Sequence, residues 1–183
     1  KKIYAAKGRP SDNPLISHIA DMEQFYPLIK TDNAKIIARA EALADVFWPG
    51  PLTMILPKAD NIPYETTGGL DTVAIRIPSH LVARALLQEC KMPIAAPSAN
   101  LSGRPSPTSA SHVIEDMNGR IEMIIDGGDV GIGVESTIID LTGEVPMLLR
   151  PGFVTPEMLQ QVLGTVETDA AVYRQVGKDV HPK

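Results

Sequence analysis

The chain has one cysteine, Cys90, among 183 residues, and it contains no long apolar run. A single cysteine excludes an intrachain disulfide, which fits the reducing cytoplasm, and we expect that location. No stretch is apolar enough to span a bilayer and no signal-peptide pattern is visible, so we expect no membrane partner.

Positive charge is also scarce. The chain has 17 basic and 22 acidic residues, a net charge of -5, and a sequence pI of about 5.3. An acidic chain is a poor general binder of nucleic acid, so any RNA contact has to use a local basic patch. The length and the 44% hydrophobic content predict one domain with a substantial core.

Several familiar motifs are missing. The chain has no G-x-x-x-x-G-K-[ST] sequence, which excludes a P-loop, and the Gly131 to Gly133 stretch lacks the third glycine of a dinucleotide site. Ser98 does not stand in G-x-S-x-G, so a hydrolase elbow is excluded. The 4 histidines lie far apart and have no cysteine pair beside them, which argues against structural zinc.

What the sequence does have is a loop of small hydrogen-bonding residues over 97–108, PSANLSGRPSPT. It follows a short apolar run, and Gly103 and three prolines set its backbone. Hydroxyls and backbone amides on a stiff loop are typical of phosphate or nucleotide binding. The alternative is an ordinary surface connection rich in serine and proline.

A second segment places two cations around a glycine, at Lys7, Gly8 and Arg9. Lysine acts as a point charge and arginine as a planar fork, so the pair suits a polyphosphate better than either alone. The alternative is a solvated basic turn at a helix end.

Other polar residues allow two interpretations. Arg76 and Arg150 stand in apolar strand patterns, where an inward arginine must find an anion and an outward one faces solvent. Ser136 and Thr137 are either ligand hydroxyls or plain strand formers. Residues 126–129 form either a turn or a magnesium contact.

Hydrophobic periodicity predicts alternating helices and strands. Gly8 ends a first helix, and Thr31 or Asp32 caps the second, which ends at 49–50. Further helices are predicted at 81–90, 109–117 and 156–163. Strands are predicted at 52–56, 72–77, 94–96 (buried), 121–125, 137–141 and 146–149. The pattern is that of an α/β domain with a mixed, twisted sheet.

In order along the chain, the segments KKIYAAKGRPSDNPL, WPGPLTMIL, VAIRIPSH, APSANLSGRPSPT, GVESTIIDL and LLRPG resemble the YrdC-like threonylcarbamoyl-AMP synthases. The resemblance covers residues 1–152. It implies an open, twisted, mixed parallel and antiparallel sheet with flanking helices and a concave basic cleft. We expect an N-terminally incomplete catalytic domain at 1–163 and a polar tail or interdomain linker at 164–183, as in the family's two-domain long form.

The resemblance also implies a reaction. These enzymes make threonylcarbamoyl-AMP from ATP, L-threonine and bicarbonate, and they release pyrophosphate. Mg²⁺ is the expected cofactor and accompanies ATP. Partner proteins then use the product to modify tRNA. By motif position, Lys7 and Arg9 are the catalytic cations, and the metal has no protein ligand that we assign. The implied ATP-binding residues are Arg9, Asn13, Thr72, Ser98, Ser106 and Arg150. The implied threonine-binding residues are His18, Arg76, Ala96 and Ser136.

Two rival functions remain open. One is a module that binds double-stranded RNA or tRNA in the basic cleft without catalysis. The other is a domain that handles a carbamoyl-adenylate inside a larger maturation protein. The acidic composition disfavours RNA binding as the main task.

Overall fold

A computed structural model describes residues 1–172 of the protein. The helices of this part are α1 (Lys2–Lys7), α2 (Ala34–Phe47), α3 (Tyr64–Thr67), α4 (Leu81–Cys90), α5 (Ala110–Met117) and α6 (Pro156–Leu163), with a short 3-10 helix at Tyr26–Leu28. The strands are β1 (Ile16–His18), β2 (Leu52–Pro57), β3 (Thr72–Arg76), β4 (Ile94–Ala96), β5 (Thr137–Asp140), β6 (Met147–Arg150) and β7 (Glu167–Thr168).

Within residues 1–172 the strands form one open sheet of seven strands in the order β4-β1-β3-β2-β5-β6-β7. Three neighbouring pairs are parallel, β1 with β3, β2 with β5, and β6 with β7. The other three pairs are antiparallel. The mixed α/β sheet with flanking helices is confirmed.

One face of this sheet carries the hydrophobic core. Successive side chains of a strand point to opposite faces, and on the covered face they are mainly apolar, with Ser17 and Thr137 as buried polar exceptions. The central strands contribute side chains that are at most 1% exposed: Leu52, Met54, Leu56, Val73, Ile75, Ile139 and Leu148. Helices α2 and α6 join the same core through Ala40, Leu43 and Leu159. Full burial of one such leucine or isoleucine contributes about 1.5–3 kcal/mol, so this face is fixed by its sequence.

Local signals place several helix ends correctly. Gly8 ends α1 in the left-handed region, with φ of 61°, as predicted. The bounds of α4 and α6 agree with the predicted ranges. The predicted cap of α2 is wrong: the Asn33 side chain accepts from the Lys35 amide at 3.0 Å. Residues 31–33 are all good caps, and the hydrophobic phase of α2 selects the last one.

The strand predicted over 121–125 is wrong. These residues pair with no strand of the described sheet, and Met123 and Ile125 are 75% and 57% exposed. Strand β4 exists as predicted, but it is half-buried rather than buried, because it forms an edge of the sheet. Helix α3 and the short strands β1 and β7 were not predicted.

The predicted tail begins with residues that take part in the sheet. Glu167 pairs with Met147 in β6, and Val166 is buried beside this strand. The rest of the predicted tail, residues 173–183, lies outside the described residues.

Gly152 follows β6 where the chain passes close to its neighbours. A Cβ built there would lie 2.5 Å from the Glu135 carbonyl oxygen and 2.6 Å from the Thr137 amide nitrogen. Both atoms belong to backbone and cannot swing aside. The close approach brings the end of β6 against the start of β5.

We therefore expect Gly152→Ala to lower the free energy of unfolding by about 1–3 kcal/mol, the usual cost of overpacking. Gly131 is a matched control, because a Cβ there meets nothing within 4 Å. Urea denaturation of both variants checks the prediction. Equal stability of Gly152→Ala and Gly131→Ala would contradict the close approach.

Candidate functional site

The face of the sheet opposite the core carries most of the predicted site residues. The β1 and β3 register places His18 beside Arg76 and Ile16 beside Ala74, and Ala96 of β4 pairs with Ile16. Arg150 pairs with Ile138 on the same face. The residues of this open face that were predicted for the site are His18, Thr72, Arg76, Ala96, Ser136 and Arg150. Strand alternation therefore separates them from the core.

The topology divides the predicted site residues, including those in the loops beside the sheet, between two ends of the open face. Arg9 and Asn13 lie in the segment before β1, and Thr72 begins β3, which is parallel to β1. Ala96 ends the antiparallel β4, from which the chain enters the Ser98 loop at this same end. The other end, where β1 and β3 finish, carries His18 and Arg76, together with Ser136 and Arg150. The two ends of the five-residue β3 are roughly 13 Å apart.

Arg76 is half-buried on the open face. Its Nε donates to the Gly50 carbonyl at 2.9 Å. Burial lowers the pKa of the Arg76 guanidinium, and the positive charge of Arg150 lowers it further. Among the ion pairs within residues 1–172, none joins a carboxylate to Arg76. An arginine in this setting is suited to a bound anion.

Arg150 belongs to a chain of polar contacts. Its Nη1 lies 2.8 Å from Glu135 Oε2, and its Nε and Nη2 donate to the carbonyl and hydroxyl of Ser136, each at 2.9 Å. The Ser136 hydroxyl is 2.8 Å from that of Thr53 on β2. Burial lowers the pKa of Arg150, and Glu135 partly offsets this.

Glu135 was not among the predicted site residues, yet it joins two that were. It pairs with Arg150 and also accepts from the Ser106 hydroxyl at 3.0 Å. This carboxylate therefore connects the serine-rich loop to the open face. Its position before Ser136 in the GVEST segment was the only sequence signal for it.

Lys7 is buried, at 4% exposure, behind the serine-rich loop. Its ammonium donates to the backbone carbonyls of Ser98 and Asn100, and the Lys7 carbonyl accepts from the Ser102 amide at 3.0 Å. Burial lowers the pKa of Lys7, Arg9 lowers it further, and Asp116 acts in the opposite direction. The ammonium thus faces the loop backbone, and the loop depends on it.

Asn100 is a second residue that the predictions missed. It is 6% exposed, and its side-chain nitrogen donates to the carbonyls of Leu101 at 3.0 Å and Arg104 at 2.7 Å. These contacts fix the turn of the loop, whereas Ser98 and Ser106 remain exposed to solvent. The loop is therefore held from inside and keeps its serines available.

Arg9 and Asn13 are brought together, as expected of residues that share a ligand. Arg9 Nη2 donates to Asn13 Oδ1 at 2.6 Å and to the Pro14 carbonyl at 3.0 Å. The left-handed Gly8 turns the chain, and the Arg9 amide donates back to Tyr4 at 3.0 Å. The guanidinium is thus held in one orientation near the surface.

A cavity of about 600 Å³ adjoins the open face at Arg76. Its walls are mainly apolar, from Val82 and Leu86 of α4 and from residues of the glycine-rich segment 125–134, and Ser79, His80 and Asp129 add polar groups. His80 Nε2 lies 3.2 Å from the Gly127 carbonyl oxygen. Of the segment that was predicted as a strand, only Ile125 is among the residues that line this cavity. A charged end and apolar walls are the usual form of a small-molecule site.

Residues 126–129 form a turn in which Asp126 accepts from the Gly128 amide at 2.9 Å. Within residues 1–172, no group of three or more His, Cys, Asp or Glu side chains is arranged to hold a metal ion. No helix of this part of the chain is long and apolar enough to cross a membrane.

An open mixed sheet with two arginines on its free face, bordered by a serine-rich loop, defines an α/β domain whose free face is suited to anions. Residues 1–152 match the sequence profile of the Sua5/YciO/YrdC family, which carries the description "Telomere recombination". The chain belongs to this family, as its motifs led us to expect.

Two curated relatives are similar over nearly the whole chain. The threonylcarbamoyl-AMP synthase of Pyrococcus abyssi is 56% identical over 98% of this chain and 51% of its own length. That of Bacillus subtilis is 52% identical over 100% of this chain and 52% of its own length. The chain thus spans about half the length of these relatives.

Solved structures agree with the fold. The crystal structure of Pyrococcus abyssi Sua5 complexed with L-threonine superposes with a TM-score of 0.89 at 54% identity, covering 100% of this chain and 52% of that one. The similarity supports the same strand order and the same open face. The roles of individual site residues stay predictions.

His18 gives this site a measurable pH signature. Burial, with a smaller contribution from the Arg76 charge, lowers the pKa of His18 to about 4, and hydrogen bonding to the backbone at Ile94 and Ile16 offsets only part of this. The folded protein therefore keeps His18 neutral near pH 6, whereas the unfolded chain protonates it below its ordinary pKa of about 6.5.

We expect the free energy of unfolding to fall by up to roughly 3 kcal/mol as the pH falls from about 6.5 to 4, because the unfolded chain binds a proton at His18 that the folded protein does not. His18→Gln has no such proton to bind in the unfolded state, so its stability should fall less over this range. Urea denaturation at several pH values checks this. Parallel curves for the wild type and the variant would contradict a neutral His18 in the folded protein.

Proposed function

We propose that the intact protein is a nucleotidyltransferase that makes threonylcarbamoyl-AMP from ATP, L-threonine and bicarbonate and releases pyrophosphate. The observation that carries this proposal is the pair of half-buried guanidinium groups, Arg76 and Arg150, on one open face beside a serine-rich loop. The reaction must hold two anions next to each other, and paired cations offset their repulsion. The names of the two curated relatives support the same reaction.

Threonine is assigned to the end of the face that carries Arg76. A guanidinium fork binds a carboxylate or carbamate through two parallel hydrogen bonds. His18 is neutral there and adds no further positive charge, and Ser136 supplies a hydroxyl next to Arg150. Ala96 was also predicted to bind threonine, but it pairs with Ile16 at the other end of the face, beside the serine-rich loop.

ATP is assigned to the serine-rich loop and to the residues on both sides of it. Ser98 and Ser106 are exposed hydroxyls on this loop, and Arg9 with Asn13 forms a polar pair before β1. Thr72 and Arg150 are assigned to the two ends of the nucleotide along the open face. Lys7 acts from behind the loop by fixing its carbonyls, so we assign it a positioning role.

The chemistry needs charge stabilisation rather than a nucleophilic side chain. The threonine amino group takes up the carbon of bicarbonate, water leaves, and a carbamate results. A carbamate oxygen then attacks the α-phosphorus, and the bond to the bridging oxygen breaks with its electron pair going to pyrophosphate. We assign Arg9 to stabilise the charge that grows on the leaving group.

Magnesium fits this site as a companion of the triphosphate. Mg²⁺ usually keeps several waters and binds through one or two carboxylates plus substrate phosphates. Glu135, next to Ser106 and Arg150, is the carboxylate that we assign to it. The ion would neutralise phosphate charge there.

The product is proposed to serve tRNA modification through partner proteins, and we also propose a cytoplasmic location. An RNA-binding module without catalysis would make no product at all. Incubation of the intact protein with ATP, L-threonine and bicarbonate, followed by mass spectrometry for the adenylate and an assay for pyrophosphate, decides between them. Formation of both products in equal amounts is expected, and RNA binding without either product would overturn the proposal.

Arg76 tests the threonine assignment. Arg76→Met keeps the length of the side chain but removes the fork. We expect turnover at ordinary threonine concentrations to fall about thirty- to a thousandfold, since losing a charged hydrogen-bonding partner of this kind costs about 2–4 kcal/mol. ATP binding should persist. Calorimetry with each ligand checks this, and equal loss of both ligands would point to a structural role for Arg76.

Arg9 tests the catalytic assignment. Arg9 lies between Gly8 and Pro10, and its guanidinium is held by Asn13, so it loses little entropy on binding phosphate. We expect Arg9→Ala to lower kcat by about a hundred- to a thousandfold, and Arg9→Lys to recover part of the loss. Steady-state kinetics provide the measurement. A normal kcat with only a raised KM for ATP would reduce Arg9 to a binding residue.

A further inference from the structure

Asp116, near the end of α5, is a buried carboxylate that the proposed reaction does not use. It is 7% exposed, and both of its oxygens are engaged. Oδ2 accepts from the Leu101 amide at 3.0 Å, and Oδ1 accepts from Arg104 Nη1 at 2.5 Å. Both partners belong to the serine-rich loop, between Ser98 and Ser106.

Lys7 and Asp116 hold this loop with opposite charges. Lys7 donates to the carbonyls of Ser98 and Asn100, whereas Asp116 accepts from an amide and a guanidinium slightly further along. The Leu101 amide lowers the pKa of Asp116, with smaller contributions from Arg104 and Lys7, so the carboxylate stays charged at neutral pH.

We propose that Asp116 is a positioning residue of the nucleotide site, which fixes the loop so that Ser98 and Ser106 face the triphosphate. This inference rests on the proposed function. Asp116 does not touch the nucleotide. It acts through the Leu101 amide and through Arg104, and its negative charge is compensated there instead of opposing the phosphates.

The physical reason is preorganisation. A loop without regular secondary structure must lose conformational freedom when it closes on a ligand, and contacts already present in the free protein reduce that loss. Without the carboxylate, the Leu101 amide and the Arg104 guanidinium lose their shared acceptor, and ATP binding itself must order the loop. ATP affinity should therefore fall, while threonine affinity, which we assign chiefly to Arg76, should not, because Arg76 donates to the Gly50 carbonyl and not to the loop.

Asp116→Asn tests this in the intact protein, because asparagine keeps the shape and removes the charge. Glu115→Gln is a matched control: Glu115 is next to Asp116 and lies 3.2 Å from the same Arg104 nitrogen, but its side chain is 71% exposed. Four quantities are measured: amide hydrogen exchange at Leu101 and Ser102 without ligand, the KM for ATP, the KM for L-threonine, and kcat.

For Asp116→Asn we expect exchange at Leu101 to become roughly tenfold faster and the KM for ATP to rise roughly tenfold. The KM for threonine, and kcat at saturating ATP, should stay within about twofold of the wild type, and Glu115→Gln should resemble the wild type in all four quantities. A purely structural role would instead lower kcat or affect both KM values alike.

Unchanged exchange in Asp116→Asn overturns the inference, because the carboxylate then does not hold the loop. Faster exchange with an unchanged KM for ATP overturns it as well, because the loop order then does not matter for the nucleotide. If exchange becomes faster but the wild type neither binds nor uses ATP, the proposed function fails and the nucleotide role of Asp116 fails with it.

Discussion

The two-residue alternation of the β-strands, with the apolar core on one face of the sheet, is the constraint on which the rest of the structure depends. Alternate positions in the central strands are filled by apolar side chains that helices α2 and α6 cover. The positions between them are left on the open face, where Arg76 and Arg150 are half-buried. A one-residue shift in register would place these charges in the core, so packing also fixes the site.

The free protein holds positive charge in an unfavourable arrangement. Arg150 lowers the pKa of Arg76, which means that each guanidinium disfavours the other, and Glu135 compensates Arg150 alone. Bound carboxylate and phosphate would relieve this repulsion. In the proposed function, relief of this repulsion would favour binding of the two anions together.

Signals from neighbouring residues in the sequence made part of the fold and of the candidate site predictable. Gly8 as the end of α1, the bounds of α4 and the composition of the serine-rich loop follow from neighbouring residues. Strand β1 does not, because its three residues depend on pairing with β3 and β4. Glu135 and Asp116 act on loop residues 29 and 12 to 15 positions away, and only the folded chain brings them together.

The central claim is that one open face binds the nucleotide and the amino acid side by side. A crystal structure of the intact protein with a non-hydrolysable ATP analogue and L-threonine tests it most directly. The account predicts the triphosphate between Arg9 and the loop of Ser98 and Ser106, and the threonine carboxylate on Arg76. A nucleotide bound on the other side of the sheet, or threonine away from Arg76, would contradict it.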